Sequence, residues 1–419
     1  MSTTITTTPQ QPTPAANNAI YVVLGTLIAQ PNYRYVADIK SEASTLLARL
    51  KCDKLPVSNS GFFNVSDIAK SMIVPAKPTL TAGWQDAAVA ARYTATFMEE
   101  YGTPPVVDTG VTTIASGIVW KAYFNQQAIP ATSGYLGTGT TMRELLTNRP
   151  TAYDMRSNQN DFLTGLKDSA VDFIATISYP TRTFDVVGTL TDPMLSASFN
   201  MGAAGLLALT SGQTSDALAG NVGFPKTSAQ SYAQYLARAT ADGAEADSNA
   251  CAPAAYLALI GEYPFGQSYT VTINMGANQS ALYTLTLNDC IRFPQQLVYF
   301  RNALGGIDSY NFKMKNRKAI GAERSTYSKN SDVYGTTVFD SIWQTQYTER
   351  VDLNSDWLTD TEFIWLQELF LTSELWVLQN GVLIEAVMVP SEYRISTRHG
   401  DGLQQINMAI NIAFKNKTI

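Results

Sequence analysis

Hydrophobic and polar positions alternate with period two over much of this chain, the pattern of strands with one buried face. Tyr33, Tyr35 and Ile39 alternate with Arg34, Asp38 and Lys40, and Leu46, Ala48 and Leu50 alternate with Leu47, Arg49 and Lys51. Residues 20–28 are apolar and branched, while 92–101 and 118–125 read as aromatic-rich strands. Residues 61–68 read as a short strand running into one helical turn, ended by Pro75 and Pro78. Short strands separated by turn signals predict a β-sandwich of roughly 100 residues. No helix of ordinary length is predicted before residue 127.

A second β-region follows a Gly/Thr/Ser-rich stretch at 126–141, read as a linker or long loop. Its predicted strands are 170–179, 183–190, 269–275 and 282–287. The last two alternate cleanly across a turn at Gly276-Ala277-Asn278. Between the two pairs lies an Ala/Gly-rich insert, 196–266, with one predicted helix at 229–241 N-capped by Ser228. A long insert of this kind is expected to be functional or an interface loop.

The C-terminal part holds the best-specified unit. Thr359 and Glu362 have capping-box spacing, and Leu358 and Phe363 stand where a hydrophobic staple sits. A helix is therefore predicted over 360–371, with Phe363, Leu366 and Phe370 on its apolar face. Residues 375–379 and 382–389 flank Asn380-Gly381, the dipeptide that best tolerates a type I′ hairpin turn. Strands are also predicted at 297–301, 309–314 and 405–414. The expected fold is mainly β, with β-sandwich-like domains and an α+β C-terminal domain containing one capped helix and a hairpin. The expected organisation is a flexible N-terminal arm (1–18), a β-sandwich-like domain (19–127), a second β-rich domain with its insert (128–290) and the α+β domain (291–419).

Composition changes the picture in one respect. Charged residues make up 15% of the 419 residues and aromatic residues 11%, with hydrophobic content an ordinary 45%. A surface short of charge and rich in Thr, Ser, Asn and Tyr suits extensive contacts with other protein chains, and equally a Thr/Ser-rich β-protein. The net charge of −6 argues against a dedicated nucleic-acid binder. Cys52, Cys251 and Cys290 are an odd count at wide spacing, so no disulfide framework is expected. Residues 1–18 lack the basic and apolar regions of a signal peptide. The longest apolar run, 19–29, is about half the ~20 residues of a membrane span. A soluble protein made in a cytoplasm is expected.

Candidate chemistry is sparse. The single histidine, His399, sits in a turn, which excludes His-rich zinc sites and H-E-x-x-H proteases. There is no G-x-S-x-G elbow and no phosphate loop, and Gly137-Thr138-Gly139 lacks the third glycine of a dinucleotide fingerprint. Glu99/Glu100 and Asp352/Asp356 are carboxylate pairs of the kind a glycosidase needs across a cleft, or solvated acids. No catalytic, metal or cofactor residue is assigned. One charge cluster stands out: Lys313, Lys315, Arg317, Lys318, Arg324 and Lys329, with Glu323 as its one acid. It reads as a basic strip facing phosphates or an acidic partner, or as a solvated loop.

Three stretches carry a resemblance. Residues 299–312 (YFRNALGGIDSYNF), residues 145–150 (LLTNRP), and the basic segment to Tyr327 followed by 347–353 and 357–381 resemble elements of virion proteins from tailed phages of Bacteroidetes hosts, crAss-like phages included. The resemblance covers 145–150 and 295 onward best, the N-terminal domain loosely and the insert not at all. It implies a structural subunit of a tail or neck ring, adaptor or hub around the DNA conduit. The implied partners are copies of itself, other tail, neck or portal proteins, and non-specific contact with packaged or exiting DNA. A receptor- or glycan-binding module, and less so a glycan hydrolase, are the alternatives.

Overall fold

The computed structural model describes residues 3–9, 11, 13–80, 83–122, 145–156, 159–166, 173–179, 182–188, 196–202, 268–275, 278–287, 293–328, 340–389 and 404–412. The chain is mainly β, as expected, with strands gathered into five sheets and little helix. Of the insert, 196–202 is described and opens with a buried strand, Ser196–Asn200, rather than a loop. The rest of the insert, with its predicted helix at 229–241, and His399, Cys251, Cys290 and Lys329 lie outside the described residues.

Two sheets form the first layer pair. One has the order β2-β9-β8-β4-β5, from β2 (Thr13–Pro14), β9 (Val106–Trp120), β8 (Ala90–Tyr101), β4 (Arg34–Ser41) and β5 (Leu46–Cys52). The other joins β1 (Thr4–Thr7), β3 (Ile20–Leu24) and β6 (Ser60–Asn64). Tyr21, Val23 and Phe63 from the small sheet share one core with Tyr35, Ile39, Tyr93 and Phe97 from the large one. Tyr21 and Tyr93 join hydroxyls at 3.1 Å inside it. The short helix α1 (Ser66–Ser71) follows β6, as the sequence pattern suggested.

The expected flexible arm is instead paired within its own chain over the described part. β1 runs antiparallel to β3, and β2 runs parallel to the end of β9. Thr3 and Gln11 add side-chain bonds to Thr113 and to the Ile118 amide. The physical reason is local. A threonine-rich segment that looks polar enough to stay unfolded also has high strand propensity, and it meets two open strand edges.

The second layer pair packs a sheet of order β10-β17-β15-β12-β13 against β11-β14-β7. The first holds β10 (Ala152–Met155), β17 (Tyr283–Leu287), β15 (Ser268–Met275), β12 (Phe173–Tyr179) and β13 (Arg182–Gly188), with β16 (Asn278–Gln279) beside β15. The second holds β11 (Phe162–Leu166), β14 (Ser196–Asn200) and β7 (Gly83–Asp86). Leu163, Ala197 and Phe199 meet Ile177, Val271, Ile273 and Leu285 in the core. β7 comes from the stretch assigned to the first domain, so that stretch contributes a strand to the second unit as well. The chain passes through the second unit before completing the first.

A seven-stranded sheet, β19-β18-β22-β23-β24-β21-β20, makes the third unit. Its strands are β18 (Gln296–Arg301), β19 (Ile307–Phe312), β20 (Arg317–Ser328), β21 (Asp340–Asn354), β22 (Leu375–Gln379), β23 (Val382–Met388) and β24 (Asn407–Ile412). The capping box forms: the Glu362 amide donates to Thr359 Oγ1 and the Thr359 amide to Glu362 Oε2. Leu358 and Phe363 are both buried in the same core. The helix is interrupted at Gln367, giving α2 (Asp360–Leu366) and α3 (Glu368–Leu371) rather than one run. Asn380 and Gly381 take φ of 50° and 77°, the left-handed pair that a tight hairpin requires.

Candidate functional site

The two stretches 145–150 and 299–312, far apart in sequence, meet in one buried junction. Arg149 is at its centre with a fully buried side chain. It donates to Asp161 at 2.5 Å and to Asp308 at 2.7 Å, both of them also fully buried. Asp308 further accepts from Thr147, Asn302 and the Trp365 indole at 2.8–3.0 Å. Asp161 accepts from Tyr153 at 2.6 Å and Ser309 at 2.7 Å. Burial and the neighbouring Asp161 push the Tyr153 phenol well up, so it stays a proton donor. Nearly every donor and acceptor here has a partner, which is the condition for charges to survive in an apolar interior.

The turn between β18 and β19 explains the Asn-x-x-Gly-Gly pattern. Asn302 Oδ1 accepts from the amides of Leu304 and Gly306, while Nδ2 donates to the Leu146 carbonyl at 2.7 Å. Gly305 has φ of 89° and lies against the Lys121 carbonyl, and Gly306 lies against the Leu146 carbonyl. A Cβ would sit 1.9 Å and 2.1 Å from those oxygens. The glycines therefore let backbone from both earlier units close on the third. Beside the turn, buried Arg301 bonds Glu374 at 2.7 Å, the Gly305 carbonyl and the Ala76 carbonyl. Lys121 pairs with the other oxygen of Glu374. Burial would raise the Glu374 carboxyl, but Arg301 and Lys121 more than offset it and hold it below its ordinary value.

A cavity of about 370 Å³ opens next to this junction. It lies along the edge strands β10 and β19 and is closed by residues 356–365. Asp154, Asn311, Lys313, Asp356, Trp357 and Glu362 are among its walls.

The basic strip does not form one patch. Lys313 is half-buried at the cavity wall, 3.6 Å from Asp154. Lys315 is exposed ahead of β20. Arg317, Lys318 and Arg324 lie on β20, and strand alternation turns Arg317 away from the other two. Lys318 is 3.6 Å from Glu349, whereas Arg324 is exposed opposite Thr345. Three of its members, Arg317, Lys318 and Arg324, thus lie on one strand of a long ribbon, on its two faces. β20 and β21 pair from Arg317/Asp352 to Ser328/Asp340, with a bulge near Ser325. β24 supports β21 only from Glu349 onward, so the rest of the ribbon projects past the sheet among the described residues. One of its faces carries Lys318, Ile320, Ala322, Arg324, Tyr347 and Ile342, with Ile320 72% exposed.

The carboxylate pairs resolve separately. Glu99 is buried and accepts from the Thr26 amide and Tyr33, while Glu100 pairs with Lys51 at 2.6 Å. Asp352 pairs with Arg350, and Asp356 faces the cavity. Among the described residues no group of His, Cys, Asp and Glu is placed to hold a metal ion, and no helix is long and apolar enough to cross a membrane. The sequence reading missed Arg149, Asp161 and Asp308. Its available signal was a charge inside an aromatic-rich strand, since such a charge must find a buried partner. No protein-family model matches the sequence, and no curated protein matches it.

Proposed function

We propose that this chain is a structural subunit of a virion assembly, a ring, adaptor or hub protein in the tail or neck of a tailed phage. The observation that carries the assembly part is the projecting ribbon of β20 and β21. A two-stranded ribbon is marginal on its own in water, and this one exposes Ile320, Tyr327, Ile342 and Tyr347. Among the described residues its outer strand also has an open edge, which another chain can pair with. Such an element gains by being covered. Copies of the same chain are the natural cover, because Lys318 and Arg324 stand on one face of the ribbon while the whole chain carries −6. Head-to-tail contacts of this kind close into rings.

The phage assignment is supported by the resemblance of 145–150 and 299–312, whose residues build the central junction. Lys315, Arg317 and Arg324 remain available for an acidic neighbour or for DNA phosphates. The test replaces residues 321–348 by Asn-Gly, which joins the cross-strand neighbours Ile320 and Glu349 through a tight turn. The full chain should form closed rings by negative stain, and the shortened chain should stay folded but dispersed. Rings that persist without the ribbon, or a full chain that remains monomeric at micromolar concentration, would overturn the reading.

A further inference from the structure

We infer that the cavity beside the junction binds an organic cation, a guanidinium or alkylammonium group, held by Asp356 and Asn311 and flanked by Trp357. The charge balance points that way: among the described residues, Asp154, Asp356 and Glu362 face the space with Lys313 as the one basic wall residue. Glu362 is committed to the helix cap, and Asp154 has Lys313 at 3.6 Å. Asp356 accepts from the Trp357 amide through one oxygen, leaving it the least compensated carboxylate of the three.

The second observation is independent of charge. Asn311 is 5% exposed and gives its amide N–H to Gln295 at 2.6 Å, yet its buried Oδ1 has no donor. A buried acceptor without a donor is costly to leave unmade, and a ligand N–H would satisfy it. After burial itself, Glu362 and Asp356 are what push the Tyr310 phenol upward, which reports a negative field in this corner. The half-exposed Trp357 indole offers the aromatic face that a guanidinium stacks on. At about 370 Å³ the space fits a small molecule or a side chain rather than a bare ion. The carboxylates are also not gathered for metal ligation.

The same chemistry could come from a free small cation or from a basic side chain on a neighbouring chain. The site does not depend on the ribbon. Agmatine and acetyl-Gly-Arg-Gly-amide, each titrated into the full chain by calorimetry, separate the two sources, with the citrulline peptide as the neutral control. Saturable binding that quenches tryptophan fluorescence and weakens with salt is expected. A tighter peptide assigns the site to a chain segment, and tighter agmatine assigns it to a free cation. Asp356→Asn should weaken binding at least about tenfold with the thermal midpoint little changed. Lys313→Gln should tighten binding about two- to fivefold by removing the competing charge. Equal binding of the citrulline peptide, no saturable binding of any probe, or unchanged affinity in Asp356→Asn would overturn the inference.

Discussion

The junction and the ribbon use charged residues in opposite ways. Around Arg149 a single cation is boxed in by two carboxylates, two hydroxyls and an indole, all inside the protein. Along β20, Arg317 and Arg324 are exposed and Lys318 has only the half-buried Glu349 beside it, on a strand that pairs, among the described residues, with β21 alone. In the first setting, removing one partner leaves the others stranded in an apolar medium. In the second, water replaces whatever is removed. Location decides whether a charge holds the fold together or stays free for something outside it.

Substitutions should break that contrast in order of burial. Arg149→Met strands two buried carboxylates and should cost about 3–5 kcal/mol, read by urea denaturation of whatever folds. Gly306→Ala comes next. Its Cβ meets a backbone oxygen that cannot swing away, so a loss of about 1–3 kcal/mol is expected in the same assay.

Glu374 sharpens the comparison through pH. Its folded carboxyl titrates below its ordinary value, so the stability it adds is present above the ordinary glutamate pKa of ~4.3. That contribution is lost as the pH falls through the depressed folded value. Glu374→Gln should therefore lower stability at neutral pH and flatten its acid-side decline. An unchanged acid slope would remove Glu374 from the account.

On the ribbon, Ile320→Thr with Ile342→Thr should change the stability of the isolated chain by no more than about 0.5 kcal/mol. The same pair should disrupt any assembly seen by negative stain. Arg324→Glu should be the mildest of all for folding, with an effect visible only in salt-dependent association. A large loss of stability from either would mean the ribbon belongs to the core of its own subunit.

The legible parts of the fold were those where one strand face is buried and the other wet. β5 and β17 show the alternation, and the capping box and Asn-Gly turn carry their own local chemistry. Strands wet on both faces or buried on both faces escaped. β20 is exposed from Arg317 to Tyr327, with no buried face to mark it. β11 and β14 are buried at every position, and Thr164 and Ser198 satisfy each other at 2.7 Å. A threonine and a serine in that setting look like loop residues. The junction was illegible for a different reason. Its members are single charges in separate segments, and only tertiary pairing reveals why each is there.

The distance between those segments also sets a clock. Thr147 and Asp308 are 161 positions apart, and at typical synthesis rates of ~5–20 residues per second the later one arrives roughly 8–30 s after the first. During that interval the Arg149 segment has no Asp308 to meet, and Gly306 is not there to close against Leu146. The first two units can therefore pair through β7 and β14 beforehand, but their junction closes only when the third is made. A nascent chain stalled before residue 308 should remain open to protease near 145–166 and become resistant there only once β19 has been made.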